Sequence, residues 1–263
     1  MRIVVKLGTS TLTHATGRLN IRRVETLCKT LSDLKNAGHE IVLVSSGAIG
    51  MGVGKLQLPG RPADMPTKQA AAAVGQCELM YVYDKLFSEY HHTVAQVLLT
   101  GSDVQDARRR SNMRTTLLRL LELQAIPIVN ENDAVTTDEI GVENTIGEND
   151  TLSAIVTELT EASLLVLLSD IDGLYTADPH QDPTARLIER VEEITPEIEA
   201  LAGGSGSALG TGGMTTKLSA ARRATAAGAD MIIANGRNPE LLYRIAAGEP
   251  VGTRFIAKER KGK

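Results

Sequence analysis

A chain of 263 residues is long enough for one or two domains, and α/β folds of this length are often single domains. Because 42% of the residues are hydrophobic while Trp is missing and Phe occurs twice, the core must be aliphatic, as is typical of parallel sheets. A net charge of −4 argues against a nucleic acid or an anionic membrane as partner. The chain shows no membrane-spanning apolar run and no targeting segment, and its two cysteines are too few for a disulfide framework, so we expect a cytoplasmic protein.

The N-terminal region predicts a strand, a helix and a second strand. Residues 3–7 predict a first strand that runs directly into a turn of glycine and hydroxyl residues. Helical spacing predicts a helix over 21–34 that stops at Gly38. Residues 41–44 predict the next buried strand. Both strands end in glycine and small hydroxyl residues, which let a backbone approach a phosphate.

The glycines at 50, 52 and 54, followed by Lys55, look like a nucleotide-binding loop but fit neither standard pattern. A P-loop needs glycine where Ile49 stands and Ser or Thr where Leu56 stands, and the dinucleotide pattern needs glycine where Lys55 stands. We therefore interpret these glycines as close packing of a short helix. A helix or helix pair is predicted over 66–87, whose small residues at 70–74 favour a core helix, with packing on a second copy as the alternative.

The next region predicts a strand at 94–99. His91 and His92 precede it without a third ligand, so no metal site is predicted there. Arg108, Arg109 and Arg110, together with Arg114, form a basic cluster that we interpret as a solvated loop, with contact to an acidic partner as the alternative.

A strongly acidic stretch follows a predicted strand at 126–129. Between Asn130 and Asp150 there are seven carboxylates and no Lys or Arg: Glu131, Asp133, Asp138, Glu139, Glu143, Glu148 and Asp150. Ligands of parallel sheets lie beyond the carboxyl ends of strands, and an acidic half-site attracts an ammonium group or a metal ion. We prefer this interpretation to a solvated loop, and we expect a helix to begin near Thr151.

The C-terminal region offers a candidate phosphate site. A buried strand at 164–168 ends in Ser169 and Asp170, and the Asp172-Gly173 pair after it predicts a hairpin. Six of the eleven residues from 203 to 213 are glycine, and Lys217 follows in the first turn of a predicted helix. A cation there opposes the helix dipole unless an anion binds, so this loop indicates phosphate binding rather than a flexible linker. Further strands are predicted at 231–234 and 253–256, with a helix at 239–247 between them.

Six motifs occur in the order expected of the amino acid kinase family, at residues 5–10, 45–48, 130–135, 149–150, 169–179 and 210–217. The chain therefore resembles that family over residues 2–256. The resemblance implies a three-layer α/β/α sandwich around a mainly parallel sheet. It also implies one domain at 1–257, with glutamate bound by the N-terminal half and ATP by the C-terminal half. A basic tail follows at 258–263, and the expectation is a short form without a C-terminal PUA domain.

The resemblance further implies transfer of the γ-phosphoryl group of ATP to the γ-carboxylate of L-glutamate, the first step of proline biosynthesis. The implied catalytic residues are Lys6, Asp150 and Lys217, and the implied glutamate-binding residues are Ser46, Asp133 and Asn149. The implied ATP-binding residues are Lys6, Gly8, Ser169, Asp170, Thr211, Gly212, Gly213, Met214, Thr215, Thr216 and Lys217. Mg²⁺ is expected to be held mainly by the phosphates of ATP, and no residue is assigned as a metal ligand.

The resemblance also implies a homodimer or homotetramer and feedback inhibition by proline. Two alternatives remain at this point. One is a kinase of the same family that acts on another small acid or on carbamate. The other is a non-catalytic amino-acid sensor, against which the presence of both Lys6 and Lys217 counts.

Overall fold

The computed structural model describes residues 1–14, 18–135, 149–179, 181–202 and 213–258. Within them, an eight-stranded sheet has the order β3-β4-β2-β1-β5-β7-β8-β6. Its strands are β1 (Arg2–Leu7), β2 (Glu40–Ser45), β3 (Val94–Leu99), β4 (Ile126–Glu131), β5 (Leu164–Ser169), β6 (Arg190–Val191), β7 (Asp230–Asn235) and β8 (Thr253–Phe255). All pairs are parallel except the pair of β7 and β8, which is antiparallel. The prediction of a mainly parallel sheet is confirmed.

Helices cover both faces of this sheet. They are α1 (Thr9–Leu12), α2 (Ile21–Asn36), α3 (Ala48–Lys55), α4 (Met65–Ser88), α5 (Gly101–Gln105), α6 (Ala107–Glu122), α7 (Asn149–Thr160), α8 (Pro196–Ala202), α9 (Met214–Ala226) and α10 (Leu241–Ala246). Side chains alternate along β1, so that Val4 packs in a cluster with α6, α7 and α9 while Val5 packs in a second cluster with α2, α4 and α10. These two clusters are the two interfaces of the expected three-layer sandwich.

Strand order places a ligand crevice at the end of β1. The chain runs from β1 to β2 on one side, and β5 later joins β1 on its other side. Open parallel sheets bind ligands at such a reversal, outside the carboxyl ends of the strands. The residues that follow β1, β2, β4 and β5 therefore converge on one edge of the sheet.

Glycine brings α3 and α4 into close contact. A Cβ atom at Gly52 would lie 1.8 Å from the carbonyl oxygen of Ala71, and one at Gly75 would lie 1.7 Å from that of Ala48. The interpretation of the glycines as packing residues is confirmed at Gly52, whereas Gly50 and Gly54 face open space.

Two local predictions are wrong. Residues 108–110 lie in α6 rather than in a loop, and the cluster is paired: Arg110 binds Glu158 at 2.5 Å and Arg109 binds Asp103 at 3.0 Å. Asp172-Gly173 is also not the turn of a hairpin, because the antiparallel pairing joins Tyr175 to Leu187 and the loop between them is longer. None of the helices in the described ranges is both long and apolar enough to cross a membrane.

Candidate active site

Two lysines and one aspartate meet at the carboxyl edge of the sheet. Lys6 is the penultimate residue of β1, Asp150 is the second residue of α7, and Lys217 lies in the first turn of α9. The Nζ atom of Lys6 is 2.7 Å from Oδ1 of Asp150, and Nζ of Lys217 is 3.1 Å from Oδ2. The side chain of Asp150 is 2% exposed, and those of Lys6 and Lys217 are 12% and 6% exposed. We call these three residues the lysine–aspartate cluster.

The electrostatics of this cluster suit an incoming anion. Burial by itself raises the pKa of Asp150, but the ammonium groups of Lys6 and Lys217 outweigh burial and hold that pKa below its ordinary value. Asp150 is therefore ionised at neutral pH, and the cluster carries one net positive charge. Lys217 would otherwise be disfavoured beside the positive end of α9, so its contact with Asp150 offsets the helix dipole.

A row of amides lies directly beside the cluster. Nδ2 of Asn149, the residue before Asp150, donates to the backbone carbonyl of Ser45 at 2.7 Å and to Oγ of Ser46 at 2.6 Å. It also lies 3.2 Å from Oδ1 of Asn130, whose own Nδ2 donates to Oε1 of Gln76 at 2.9 Å. We call Asn149, Asn130 and Gln76 the amide row. It joins the ends of β2 and β4 to α4.

The amide row ends in a pocket of about 380 Å³ between α4 and the end of β4. Asp133 lines this pocket together with Gln76 and Ala48. The other lining residues are Ala72, Ala73, Cys77, Met80, Gln96, Leu98, Glu131, Asn132 and Ala134. A larger cavity of about 720 Å³, between the start of α2 and the loop before α10, shares no lining residue with this site.

Apart from Lys6 on β1, the described residues that are expected to bind ATP lie toward β5 and α9. Ser169 ends β5 and donates a hydrogen bond from Oγ to Oδ1 of Asp170 at 3.0 Å. The backbone N–H of Gly8 donates to the carbonyl of Leu168 at 3.4 Å, which holds the end of β1 against β5. Gly213 is the N-cap of α9 and has no side chain with which to cap it. Met214, Thr215 and Thr216 complete the first turn with Lys217, and Oγ1 of Thr216 lies 3.4 Å from Oδ2 of Asp150.

Some of the predicted site falls outside the described residues. Thr211, Gly212 and the rest of the glycine-rich loop belong there, as do Asp138, Glu139, Glu143 and Glu148 of the acidic stretch. Of the expected glutamate-binding residues, Ser46 and Asn149 are in direct contact but are not among the lining residues of the pocket between α4 and β4, whereas Asp133 lines it together with Gln76.

Sequence reasoning missed Gln76. It belongs to the buried face of α4, and the neighbouring buried positions, Ala72, Leu79 and Tyr83, keep helical spacing with it. A glutamine within such a stripe is the signal that was available, because buried polar groups need a partner.

The model of the amino acid kinase family matches residues 1–235, which is more than half of the chain. This chain belongs to the amino acid kinase family. Among its relatives it is 56% identical to the glutamate 5-kinase of Clostridium perfringens, over 98% of this chain and 96% of that protein. It is 52% identical to the glutamate 5-kinase of Listeria innocua, over 99% of this chain and 94% of that protein.

Solved structures of the same fold are more distant. A carbamate kinase from Giardia lamblia bound to AMP-PNP superposes with a TM-score of 0.69 at 18% identity, covering 98% of each chain. At that identity the likeness establishes the amino acid kinase fold, and the relatives above carry the functional comparison.

Proposed function

We propose that this chain is an ATP-dependent kinase that transfers the γ-phosphoryl group of ATP to the γ-carboxylate of L-glutamate, giving L-glutamyl 5-phosphate. The observation that carries the proposal is the junction of Asn149 and Asp150. Asp150 belongs to a cationic cluster suited to phosphate, and Asn149 begins the amide row that leads through Asn130 to the pocket of Asp133, which suits an amino acid. Relatives that are named glutamate 5-kinase, at 52% and 56% identity over nearly the whole chain, support it.

The chemistry asks for positioning and charge neutralisation rather than for a base. A γ-carboxylate has an ordinary pKa of about 4.3, so it is already an anion at pH 7. It attacks the γ-phosphorus in line while ADP leaves, and the barrier comes largely from the approach of two anions and from charge on the transferring group.

Lys6 and Lys217 act on that charge. Because both ammonium groups are held by one buried carboxylate, they are preorganised on either side of Asp150. They therefore do not have to change position when the nucleotide binds. Asp150 is thus a positioning residue as well as a counter-charge. Because its pKa is lowered, it stays ionised and keeps its contacts with both lysines.

The two substrates approach from opposite halves of the sheet. Ser169 and Asp170 at the end of β5, Gly8 after β1 and the first turn of α9 (213–217) form the ATP side. Thr211 and Gly212 lie outside the described residues and are assigned to ATP from the family resemblance alone. Ser46, Asn149 and Asp133 form the glutamate side, where the carboxylate of Asp133 suits the substrate's ammonium group. Strands β3, β4 and β2 support the glutamate side, and β5, β7, β8 and β6 support the ATP side.

Mg²⁺ fits this arrangement as an ion held by the phosphates of ATP. The carboxylate at the centre, Asp150, is already engaged by two lysines, so it is a poor direct ligand. When bound, Mg²⁺ would neutralise phosphate charge. Proline, which also carries an ammonium and a carboxylate, would inhibit by occupying the pocket of Asp133, and the active form would be a homodimer or homotetramer.

One assay tests the proposal. ADP release is measured with glutamate, aspartate, N-acetylglutamate, UMP and carbamate in turn, with hydroxylamine present to trap acyl phosphates. We expect hydroxamate with L-glutamate alone. Hydroxamate from N-acetylglutamate but not from glutamate would overturn the substrate assignment, and the absence of turnover with every acceptor would favour a sensor.

A further inference from the structure

Gln76, a buried residue of α4, lines the pocket of Asp133 and carries an unused hydrogen-bond donor. Gln76 is 8% exposed and lines the pocket beside Asp133. Its Oε1 accepts from Asn130, but its Nε2 has no hydrogen-bond partner among the described residues. Buried amide hydrogens are rarely left unpaired, so this donor needs an acceptor that enters the pocket.

The direction of the amide row fixes which atom of Gln76 is left without a partner in the described part of the chain. Amide nitrogen and oxygen atoms are assigned from their hydrogen-bond partners, and a backbone carbonyl is an acceptor only. The carbonyl of Ser45 therefore requires Nδ2 of Asn149 to face it. Nδ2 of Asn149 in turn requires Oδ1 of Asn130, which turns Nδ2 of Asn130 toward Oε1 of Gln76. Three amides point the same way, and the NH₂ group of the last one, on a side chain that lines the pocket, is left without a partner among the described residues.

The closeness of α4 makes this placement possible. The residue before Gln76 is Gly75, where a Cβ atom would collide with the carbonyl of Ala48 at 1.7 Å. Ala48 also lines the pocket. Gly75 therefore lets α4 approach α3, and this approach brings the amide of Gln76 within reach of Asn130.

We propose that Gln76 is a specificity-determining residue that donates a hydrogen bond from Nε2 to the α-carboxylate of the substrate. This inference rests on the proposed function. The lysine–aspartate cluster lies at the Asn149 end of the amide row and Gln76 at the other end. A glutamate whose γ-carboxylate meets the lysines extends its α-carbon toward Gln76 and Asp133. The carboxylate of Asp133 suits the ammonium group, which leaves the amide donor for the α-carboxylate.

Two analogues separate these contacts. 4-Aminobutyrate is glutamate without the α-carboxylate, and glutarate is glutamate without the ammonium group. We would measure kcat/KM, or the inhibition constant where turnover is too slow, for all three acids with the wild type, Gln76→Met and, as a matched control, Asp133→Asn. Since a hydrogen bond to a charged group is involved, Gln76→Met should lose about 10- to 100-fold with glutamate and with glutarate. With 4-aminobutyrate it should lose less than about threefold, because the contact is missing from the substrate.

The control should show the opposite pattern. Asp133→Asn is expected to lose activity with glutamate and 4-aminobutyrate and to spare glutarate. A second variant, Gln76→Glu, keeps an acceptor for Asn130 but replaces the donor by a carboxylate. It should weaken glutamate further than Gln76→Met does and bind 4-aminobutyrate at least as well as the wild type.

The outcomes are distinct. An equal loss for glutamate and 4-aminobutyrate in Gln76→Met would mean that Gln76 only supports Asn130, and the inference would be wrong. A wild type that forms no acyl phosphate from glutamate would instead contradict the proposed function. In that case calorimetric binding of the three acids to the same variants would still decide whether Gln76 donates a hydrogen bond to the α-carboxylate.

Discussion

Replacing Asp150 by asparagine removes the negative charge that holds Lys6 and Lys217 together while nearly preserving shape. Unit charges 4 Å apart attract by about 4 kcal/mol at an effective dielectric constant near 20, and Asp150 has partners at 2.7 Å and 3.1 Å. Desolvation of the three groups offsets much of this attraction. Breaking a buried ion pair by removing one partner costs about 3–5 kcal/mol, and we expect Asp150→Asn to lower the free energy of unfolding by that amount at pH 7.

The stability that Asp150 contributes should depend on pH in a predictable direction. The pKa of Asp150 is lowered in the folded state, so the aspartate stabilises the fold above its unfolded pKa of about 3.9. That contribution is lost as the pH falls through the lower, folded value. The difference in unfolding free energy between the wild type and Asp150→Asn should therefore be constant from about pH 5 to about pH 7, where Asp150 is ionised in both the folded and the unfolded state. It should become smaller below about pH 4.

Urea unfolding followed by circular dichroism measures both effects. Glu122→Gln is the control, because its ion pair with Arg119 is about two-thirds exposed on each side and should contribute less than about 1 kcal/mol. Equal stability of the wild type and Asp150→Asn at pH 7, or a gap that widens on acidification, would refute the reasoning.

Two further predictions test the contacts of Lys217 and of Gly75, and a third tests the assembly. Lys217→Met keeps the apolar stem of the side chain but removes the ammonium group that is proposed to stabilise the transferring phosphoryl group. Steady-state kinetics should show kcat reduced by at least about 100-fold. Near-normal turnover would remove this lysine from the mechanism. Gly75→Ala should strongly destabilise the protein in thermal unfolding, because its Cβ atom would collide with the carbonyl of Ala48. Gly50→Ala, in open space within α3, should be neutral or stabilising by up to about 1 kcal/mol. Similar melting temperatures for the two variants would contradict the close contact of α3 and α4. Light scattering at micromolar concentration should show at least a dimer, and a monomer alone would refute the assembly proposed from the family resemblance.

The strands were readable from the sequence because buried parallel strands are uninterrupted apolar runs. Residues 41–44 and 164–168 lie within β2 and β5, whose ends differ from these predicted bounds by a single residue at most. Lys6 and Ser169 could be placed at strand ends, and Lys217 at a helix start, for the same reason. Their type and their position in an element are local properties.

Contacts between segments that are distant in the sequence could not be predicted from it. The partner of Arg110 is Glu158, 48 positions away on α7, so the arginine cluster looked like a solvated loop. Gly173 was taken as part of a turn, but it packs against Thr253, where a Cβ atom would lie 2.4 Å from Oγ1. The contact of Asn130 with Gln76 likewise spans 54 positions. In each case tertiary packing decided the outcome.

The most direct test of the proposed phosphoryl transfer follows an oxygen atom. L-Glutamate labelled with ¹⁸O in its γ-carboxylate is incubated with ATP, Mg²⁺, the protein and hydroxylamine. If a carboxylate oxygen attacks the γ-phosphorus, the bridging oxygen of the acyl phosphate is labelled. Hydroxylamine then attacks the carbonyl carbon and breaks its bond to that oxygen. Mass spectrometry should find one ¹⁸O in each released phosphate; unlabelled phosphate would show that water, not glutamate, accepts the phosphoryl group.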